Sequence, residues 1–150
     1  MEMMTITAAL IMSTYMNAAQ NTESEFCYNA DIENNHVVSQ YVYDRAQNQN
    51  PTSKAVILTP KKKYDYTYDE DDRLLARTTS RWDGKEWQPT DRLEYEYSPV
   101  GYSIALSRWD AECQNFTEPL AKTVYTETTV FDVVEGQTVA LTDVRSNPTL

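Results

Sequence analysis

Residues Tyr64–Thr126 read YDYTYDEDDRLLARTTSRWDGKEWQPTDRLEYEYSPVGYSIALSRWDAECQNFTEPLAKTVYT, and this segment contains one pattern twice. The tetrapeptide Ser-Arg-Trp-Asp occurs at Ser80–Asp83 and again at Ser107–Asp110, an offset of 27 residues (109 − 82). A Tyr-x-Tyr pair precedes it each time, at Tyr66–Tyr68 and Tyr95–Tyr97, an offset of 29 residues (95 − 66). Internal repetition at such a period indicates that one supersecondary unit has been duplicated.

The repeated unit is predicted to be a β-hairpin. Within Trp87–Tyr97 alternate residues are large, so their side chains share one face of a strand. Asp83-Gly84 is a strong signal for a hairpin turn, and the flanking Trp82 and Trp87 are predicted to form a cross-strand pair. Ser98–Gly101 has Ser, Pro and Gly at positions that a type I turn prefers. The segment is therefore predicted to consist of strands joined by short turns.

The flanking segments support the same fold class. His36–Asp44 is rich in β-branched and aromatic residues, which predicts a strand. Val130–Val134 and Thr138–Val144 are predicted to form a last hairpin around a turn at Glu135–Gln137. The sequence thus predicts an all-β protein. It would be an antiparallel meander of repeated β-hairpins with eight or nine strands, forming an elongated twisted sheet or an open sandwich.

Three other segments are interpreted from composition alone. Glu25–Asn35 is polar and turn-rich, and Ala46–Ser53 has the composition of an exposed loop. The short apolar run Ala55–Thr59 is predicted to end at Pro60. The basic cluster Lys61–Lys63 is interpreted as an edge or loop that charge keeps from pairing, in preference to a binding patch.

The composition excludes several classes of function. The chain has 150 residues, 23 acidic against 13 basic, and a net charge of −10. A polyanion such as DNA or RNA would be repelled at long range. Only three glycines are present, and no phosphate-loop or dinucleotide fingerprint occurs. We therefore expect no cofactor and no nucleic-acid partner.

The amino-terminal segment resembles a secretory signal peptide. Thr5–Met16 is an apolar run too short to span a bilayer, and the small residues of Asn17–Ala19 suit a signal peptidase. The departure is Met1–Met4, which has no basic residue. We predict residues 1–19 to be a signal peptide and residues 20–150 to be a single β-repeat domain without a transmembrane segment. The alternative is that the run is a buried first strand or helix of the domain.

The two cysteines, Cys27 and Cys113, leave two interpretations open. They have no metal-site spacing, and the chain has no Cys-x-x-Cys motif. In an exported protein they could form a disulfide that closes a loop of 86 residues (113 − 27), which would stabilise the fold by about 4 kcal/mol. Otherwise they are two separate thiols.

No pattern of titratable residues indicates catalysis. The only histidine, His36, lies within a predicted strand, where a structural role is more plausible than that of a general base. The acidic run Asp69–Asp72 lacks the EF-hand pattern for calcium and is interpreted as a solvated turn. A glycosidase-type pair of carboxylates has no supporting spacing. We therefore expect that the protein is not an enzyme and that it has no metal site.

The aromatic side chains are the candidate binding residues. They could form a platform that stacks on sugar rings or contacts a protein. In the other interpretation they are the packing of the repeat, because they recur where the repeat needs them. The residues concerned are Trp82, Trp87, Trp109, Tyr95, Tyr97 and Tyr102.

At these motifs the chain resembles the DUF3836 family, a domain of unknown function in exported proteins of Gram-negative gut bacteria. The resemblance is carried by Phe26–Asn29, Tyr66–Asp69 with Arg73-Leu74, Arg81–Asp83 with Trp87, and Arg108–Asp110. It implies export and a β-repeat fold, and it assigns no catalytic or ligand residue. The Tyr-Asp motif is also distantly similar to the Tyr-Asp repeats of large bacterial shell-forming proteins. Those repeats carry Gly where this chain has Asp72.

The sequence and the resemblance together give an expected function. We expect a secreted or periplasmic protein of the cell envelope with a structural or protein-interaction role. The second expectation is a glycan-binding module that uses the Trp/Tyr face, and the third is a hydrolase with an unrecognised carboxylate pair.

Overall fold

The computed structural model describes residues 5–21, 24–47, 49–53, 55–134 and 137–149, with side chains as far as residue 126. One helix precedes nine strands in this part of the chain. In order they are α1 (Ala8–Ala19), β1 (Phe26–Glu33), β2 (His36–Gln47), β3 (Val56–Tyr68), β4 (Leu74–Trp82), β5 (Trp87–Ser98), β6 (Gly101–Asp110), β7 (Asn115–Phe116), β8 (Ala121–Val134) and β9 (Gln137–Thr149).

The strands form an antiparallel meander. Hydrogen-bonded neighbours follow the order β1-β2-β3-β4-β5-β6-β8-β9, and the short β7 pairs with β6 off this path. The all-β prediction is therefore confirmed. The last hairpin is also present, since β8 and β9 pair from Lys122–Thr149 to Val134–Gln137, although Glu135 and Gly136 of its predicted turn lie outside the described residues.

The chain divides into two compact units. The N-terminal unit is Ile6–Arg92, and the C-terminal unit begins at Leu93. β5 starts in the first and ends in the second.

Few of the side chains that the structure describes are buried in either unit. In the N-terminal unit the buried apolar residues include Ala8, Val37, Val42 and Leu74, and Leu74 and Val37 are the largest that are fully buried. The meander therefore depends on side chains spread along its strands and on its turns as well as on a central core.

The tryptophans of the two Ser-Arg-Trp-Asp copies make similar ring contacts. Trp82 packs edge to face against Trp87, with ring centroids 5.2 Å apart and an interplanar angle of 63°. Trp109 packs in the same way against Phe116, at 5.1 Å and 71°. The predicted cross-strand pair Trp82–Trp87 is confirmed. No helix occurs among residues 73–122, so the hairpin interpretation of the repeat is confirmed as well.

The aspartate after each tryptophan closes its turn. Asp83 Oδ1 accepts hydrogen bonds from the backbone N–H groups of Lys85 and Glu86, at 2.8 and 2.9 Å. Asp110 Oδ1 accepts them from Glu112 and Cys113, at 2.9 and 3.2 Å. These backbone hydrogen bonds lower the pKa of both carboxyl groups, because they favour the charged form. The recurring Trp-Asp dipeptide thus specifies one ring for packing and one cap for the turn.

Two boundary predictions are wrong. Glu25–Asn35 contains a strand, β1, that pairs with β2 from Phe26–Asp44 to Glu33–His36. β2 also continues to Gln47, into the segment predicted as a loop. Polar composition predicted turns and a loop in these segments, but their backbones pair as strands along much of their length.

The interpretation of Pro60 and Lys61–Lys63 is also wrong. β3 runs through Pro60 without a break, and the register shift between Val42 and Tyr43 leaves Lys61 without a register partner on β2, so β3 has a bulge directly after Pro60. A proline is tolerated at a bulge, where its missing N–H need not join the ladder. Lys62 and Lys63 pair with β2 on one side and β4 on the other, so they lie inside the sheet.

The apolar amino-terminal run forms α1. Thr7 caps the helix, since its Oγ1 accepts a hydrogen bond from the N–H of Leu10 at 3.3 Å. Thr7 also forms an antiparallel bridge with Arg73, and the buried Ala8 donates its N–H to the Asp72 carbonyl at 2.8 Å. Among the described residues no helix has the length and hydropathy that crossing a bilayer requires. Whether residues 1–19 are a signal peptide stays a prediction.

Candidate functional site

The predicted binding residues of the N-terminal unit, Trp82 and Trp87, form a short chain of tilted rings with Tyr41, which lies outside the prediction. Tyr41 lies 6.1 Å from Trp87 at 53°, and Trp87 lies 5.2 Å from Trp82 at 63°. Trp82 and Trp87 are half-buried. Because neighbouring rings are steeply inclined to one another, their faces do not make one plane on which a sugar ring could stack.

The predicted aromatic residues of the C-terminal unit pack on one another and on Tyr125 and Phe116. Tyr102 stacks on Tyr125 at 4.9 Å and 20°, and Tyr97 lies 6.2 Å from Tyr102. Tyr95 and Tyr102 are only 7% and 8% exposed, and burial raises the pKa of Tyr102. Trp109, paired with Phe116, is half-buried. These rings therefore present little surface to a ligand, and their role as binding residues stays a prediction.

The two cysteines are free thiols in this structure. Cys27 lies half-buried on β1, and Cys113 is exposed in the loop between β6 and β7. The carboxylate of Asp110 hydrogen-bonds to the Cys113 thiol and so raises its pKa. A raised pKa leaves less of the reactive thiolate at neutral pH. Their pairing stays a prediction.

The histidine and the acidic turn considered in the sequence as possible catalytic or metal-binding groups have structural partners. His36 Nε2 lies 3.2 Å from Asp72 Oδ1, and its ring contacts Tyr68 at 5.2 Å. Asp69 accepts the N–H groups of Asp71 and Arg73 and the Nε of Arg73, all within 2.9 Å. Its pKa is lowered chiefly by the backbone hydrogen bond from Arg73. Among the described residues no three metal-ligating side chains come together.

The feature that the sequence analysis missed is the free edge of β3, which we define as Val56–Thr59. On one side these residues pair with β2, from Val56–Gln47 to Thr59–Asp44. On the other side β4 reaches β3 only at Lys62, opposite Arg81. Within the described part of the chain, the start of β3 therefore has a strand neighbour on one side only.

The free edge exposes three consecutive large apolar side chains. Val56, Ile57 and Leu58 are 42%, 50% and 49% exposed. A strand presents alternate residues to opposite faces, so apolar surface is open on both faces of the sheet here. A hollow of about 310 Å³ adjoins the edge, and its strand lining is Val56, Leu58, Phe26, Cys27, Tyr28 and Arg45. The rest of its lining is Ala18, Ala19 and Asn21, of which the two alanines fall within the predicted signal peptide.

The signal for this site was present in the sequence. Three apolar residues in a row cannot all face one side of a strand, so at least one must point away from the face that the others share. Exposure of an unpaired, apolar strand edge is typical of a surface that pairs with another chain. What the sequence could not give is the point at which β4 ends beside β3.

Comparisons with known proteins place the chain in a family. The pattern of a family of unknown function, DUF3836, matches residues 1–127. A comparison with curated proteins finds no match.

Solved structures show the same fold. A DUF3836 family protein from Bacteroides vulgatus is 18% identical, with a TM-score of 0.53 over 79% of this chain and 99% of that one. One from Parabacteroides distasonis is also 18% identical, with a TM-score of 0.52 over 83% and 88%. A protein of unknown function from Bacteroides fragilis is 20% identical, with a TM-score of 0.57 over 86% and 95%. Because the family pattern covers most of the sequence and the fold recurs in these proteins, the chain belongs to the DUF3836 family.

Proposed function

We propose that this protein is a non-catalytic β-repeat protein of a Gram-negative bacterium, exported to the periplasm or cell surface, which acts through protein contacts in the cell envelope. The apolar segment at Thr5–Met16, with small residues after it, supports export. The free edge of β3 carries the contact role.

The chemistry of the free edge favours a protein strand as its partner. An extended segment added beside Val56–Thr59 would form backbone hydrogen bonds and cover apolar side chains that are about half exposed. The edge strand β1 carries Asp31 and Glu33 and a register shift between Asp31 and Ile32. Charges and bulges of this kind discourage edge pairing. The four residues of the free edge carry no charge, and Pro60 limits the pairing to this short segment.

The test measures the size of the protein's complexes after mild extraction of the envelope fraction. Wild type is expected to elute above the position of the isolated chain, and Ile57→Asp is expected to elute at that position. Leu75→Asp is the matched control, because Leu75 is 41% exposed and lies on β4, away from the free edge. Elution of the wild type at the isolated position, or an equal effect of both substitutions, would contradict the proposal.

A second candidate is the glycan-binding module on the Trp/Tyr face. The observation that favours it is that Tyr41, Trp87 and Trp82 are neighbouring, half-buried rings in one unit, so a glycan would contact single rings and not a shared plane. It is tested by glycan-array binding of the wild type and of Trp87→Ala, with circular dichroism as a check on folding. Loss of binding in a folded variant supports the candidate, and absence of binding by the wild type removes it.

A further inference from the structure

One face of the N-terminal unit carries a row of four side chains, one from each of β1–β4. Tyr28 is the register partner of Val42, Val42 of Lys62, and Lys62 of Arg81. Register partners point to the same face of a sheet and stand about 5 Å apart. A tyrosine ring, a buried valine and two cations therefore lie side by side. We call these four residues the cationic row.

The two cations of the row oppose each other without compensation. Like charges directly opposite on neighbouring strands are destabilising. The adjacent Lys61 and Lys63 are neutralised by strand aspartates, with N–O distances of 3.1 and 3.0 Å. Among the described side chains Lys62 and Arg81 have no carboxylate within ion-pair distance, although the chain has 23 acidic residues. An anion held between them would relieve their repulsion.

A cleft opens beside the cationic row. Its volume is about 190 Å³, and its lining is Phe26, Tyr28, Val42, Lys61, Lys62 and Tyr64. This is smaller than the roughly 300–1,000 Å³ of sites for drug-sized ligands. The cleft therefore suits a single ring-sized group, with aromatic walls and cations at its rim.

A third cation lies on the same face. Arg77 is four residues from Arg81 along β4, and its guanidinium lies 5.1 Å from the centre of the Tyr64 ring. Its Nε is buried and has no hydrogen-bond partner among the described residues. Tyr64 forms one wall of the cleft, and the Arg77 guanidinium beside its ring strengthens the positive potential there.

We propose that this cleft binds a sugar ring that bears a carboxylate. The carboxylate lies between Lys62 and Arg81, and an apolar face of the ring packs on the aromatic walls formed by Tyr28 and Tyr64. A charge-assisted pair of hydrogen bonds fixes the acid, and the ring contacts select a sugar over a simple anion.

The strand pairing disfavours an acidic peptide as the ligand. At the cationic row β2 is paired with β1 and β3, and β3 with β2 and β4, so their backbone groups are engaged within the sheet. A peptide lying on this face cannot add a strand there and would be held by side chains alone. This proposal goes beyond the protein-contact function and does not depend on it.

The test is isothermal titration of the full chain with sodium D-glucuronate at low ionic strength. D-Glucose is the neutral control, sodium acetate tests a simple anion, and a hexaglutamate peptide tests an acidic peptide. We expect glucuronate to bind at least roughly tenfold more tightly than glucose or acetate. Glucose lacks the charge-assisted pair of hydrogen bonds, and acetate lacks the ring contacts. Equal binding of glucose or acetate, tighter binding of the peptide, or no binding of glucuronate would overturn the proposal.

Two substitutions locate the site. Lys62→Gln removes the charge from a half-exposed side chain and is expected to weaken glucuronate binding about tenfold. Lys85→Gln makes the same change at an exposed turn of the same unit and is expected to have no effect. Tyr64→Leu is expected to weaken glucuronate binding without changing that of acetate. An equal loss in Lys62→Gln and Lys85→Gln would place the binding elsewhere and overturn the proposal.

Discussion

The edge-to-face ring pairs of the two repeats provide a quantitative prediction. Trp82–Trp87 and Trp109–Phe116 have centroid distances of 5.2 and 5.1 Å and interplanar angles of 63° and 71°. Pairs in this geometry contribute about 0.5–1.5 kcal/mol beyond the burial of their area. Because the two geometries agree so closely, the two coupling free energies should agree within about 0.5 kcal/mol, the usual limit of additivity.

The perturbation is a double-mutant cycle in each hairpin, with each ring changed to leucine singly and together. Leucine keeps an apolar side chain and removes the ring, so the cycle isolates the contact between rings. Unfolding in urea is followed by far-ultraviolet circular dichroism, because the tryptophans themselves are altered. We expect a coupling of about 1 kcal/mol in each hairpin.

A control cycle and a refuting result complete the design. Trp82→Leu combined with Ile32→Ala should be additive within about 0.5 kcal/mol, since Ile32 is exposed on β1 and is not in the ring pair. A coupling near zero in one hairpin and above 1 kcal/mol in the other, on the same scale, would refute the reasoning. It would mean that the repeated sequence does not carry a repeated interaction.

Three further predictions concern the close approach at one turn, alkaline stability and the start of the chain. A Cβ on Gly101 would overlap the backbone carbonyl of Tyr125, so Gly101→Ala should destabilise the protein by about 1–3 kcal/mol in urea unfolding; an unchanged midpoint would contradict this. Burial raises the pKa of Tyr68, whose hydroxyl donates to the Val37 carbonyl at 2.7 Å. The unfolded chain thus loses this proton first, near pH 10, and stability should fall as the pH rises above about 10. Tyr68→Phe should reduce that fall and lower stability at pH 8 by about 1 kcal/mol, and an unchanged alkaline profile would contradict the assignment. Intact mass measurement of the exported protein should show cleavage near Ala19, and retention of residues 1–19 would contradict the signal-peptide prediction.

The repeat could be predicted because its determinants are local. Period-two alternation in Trp87–Tyr97 fixes which side chains share a face, and Asp83-Gly84 fixes where the chain turns. The aspartate caps follow the same logic, since the carboxylate of Asp83 reaches N–H groups only two and three residues away. Interactions between residues this close in the sequence can be predicted without knowledge of any distant contact.

The errors arise where distant residues decide the outcome. Pro60 stays inside β3 beside a bulge at Lys61, where the register between β2 and β3 shifts, and nothing near Pro60 in the sequence signals that shift. The free edge and the cationic row depend on where β4 ends beside β3, which is also a matter of register. In the sequence, the free edge is only part of the apolar run Ala55–Thr59, and the cationic row is represented only by the basic cluster Lys61–Lys63. Neither pattern by itself predicts a binding site.

The proposed function depends on the free edge of β3 being a surface that contacts another protein chain. The most direct measurement places a photo-crosslinking amino acid at position 57 of the full chain in the exporting cell, and at position 75 as the control. Our account predicts a discrete adduct with a second protein chain from position 57 and none from position 75. Absence of an adduct at position 57, or equal yields from both positions, would contradict it.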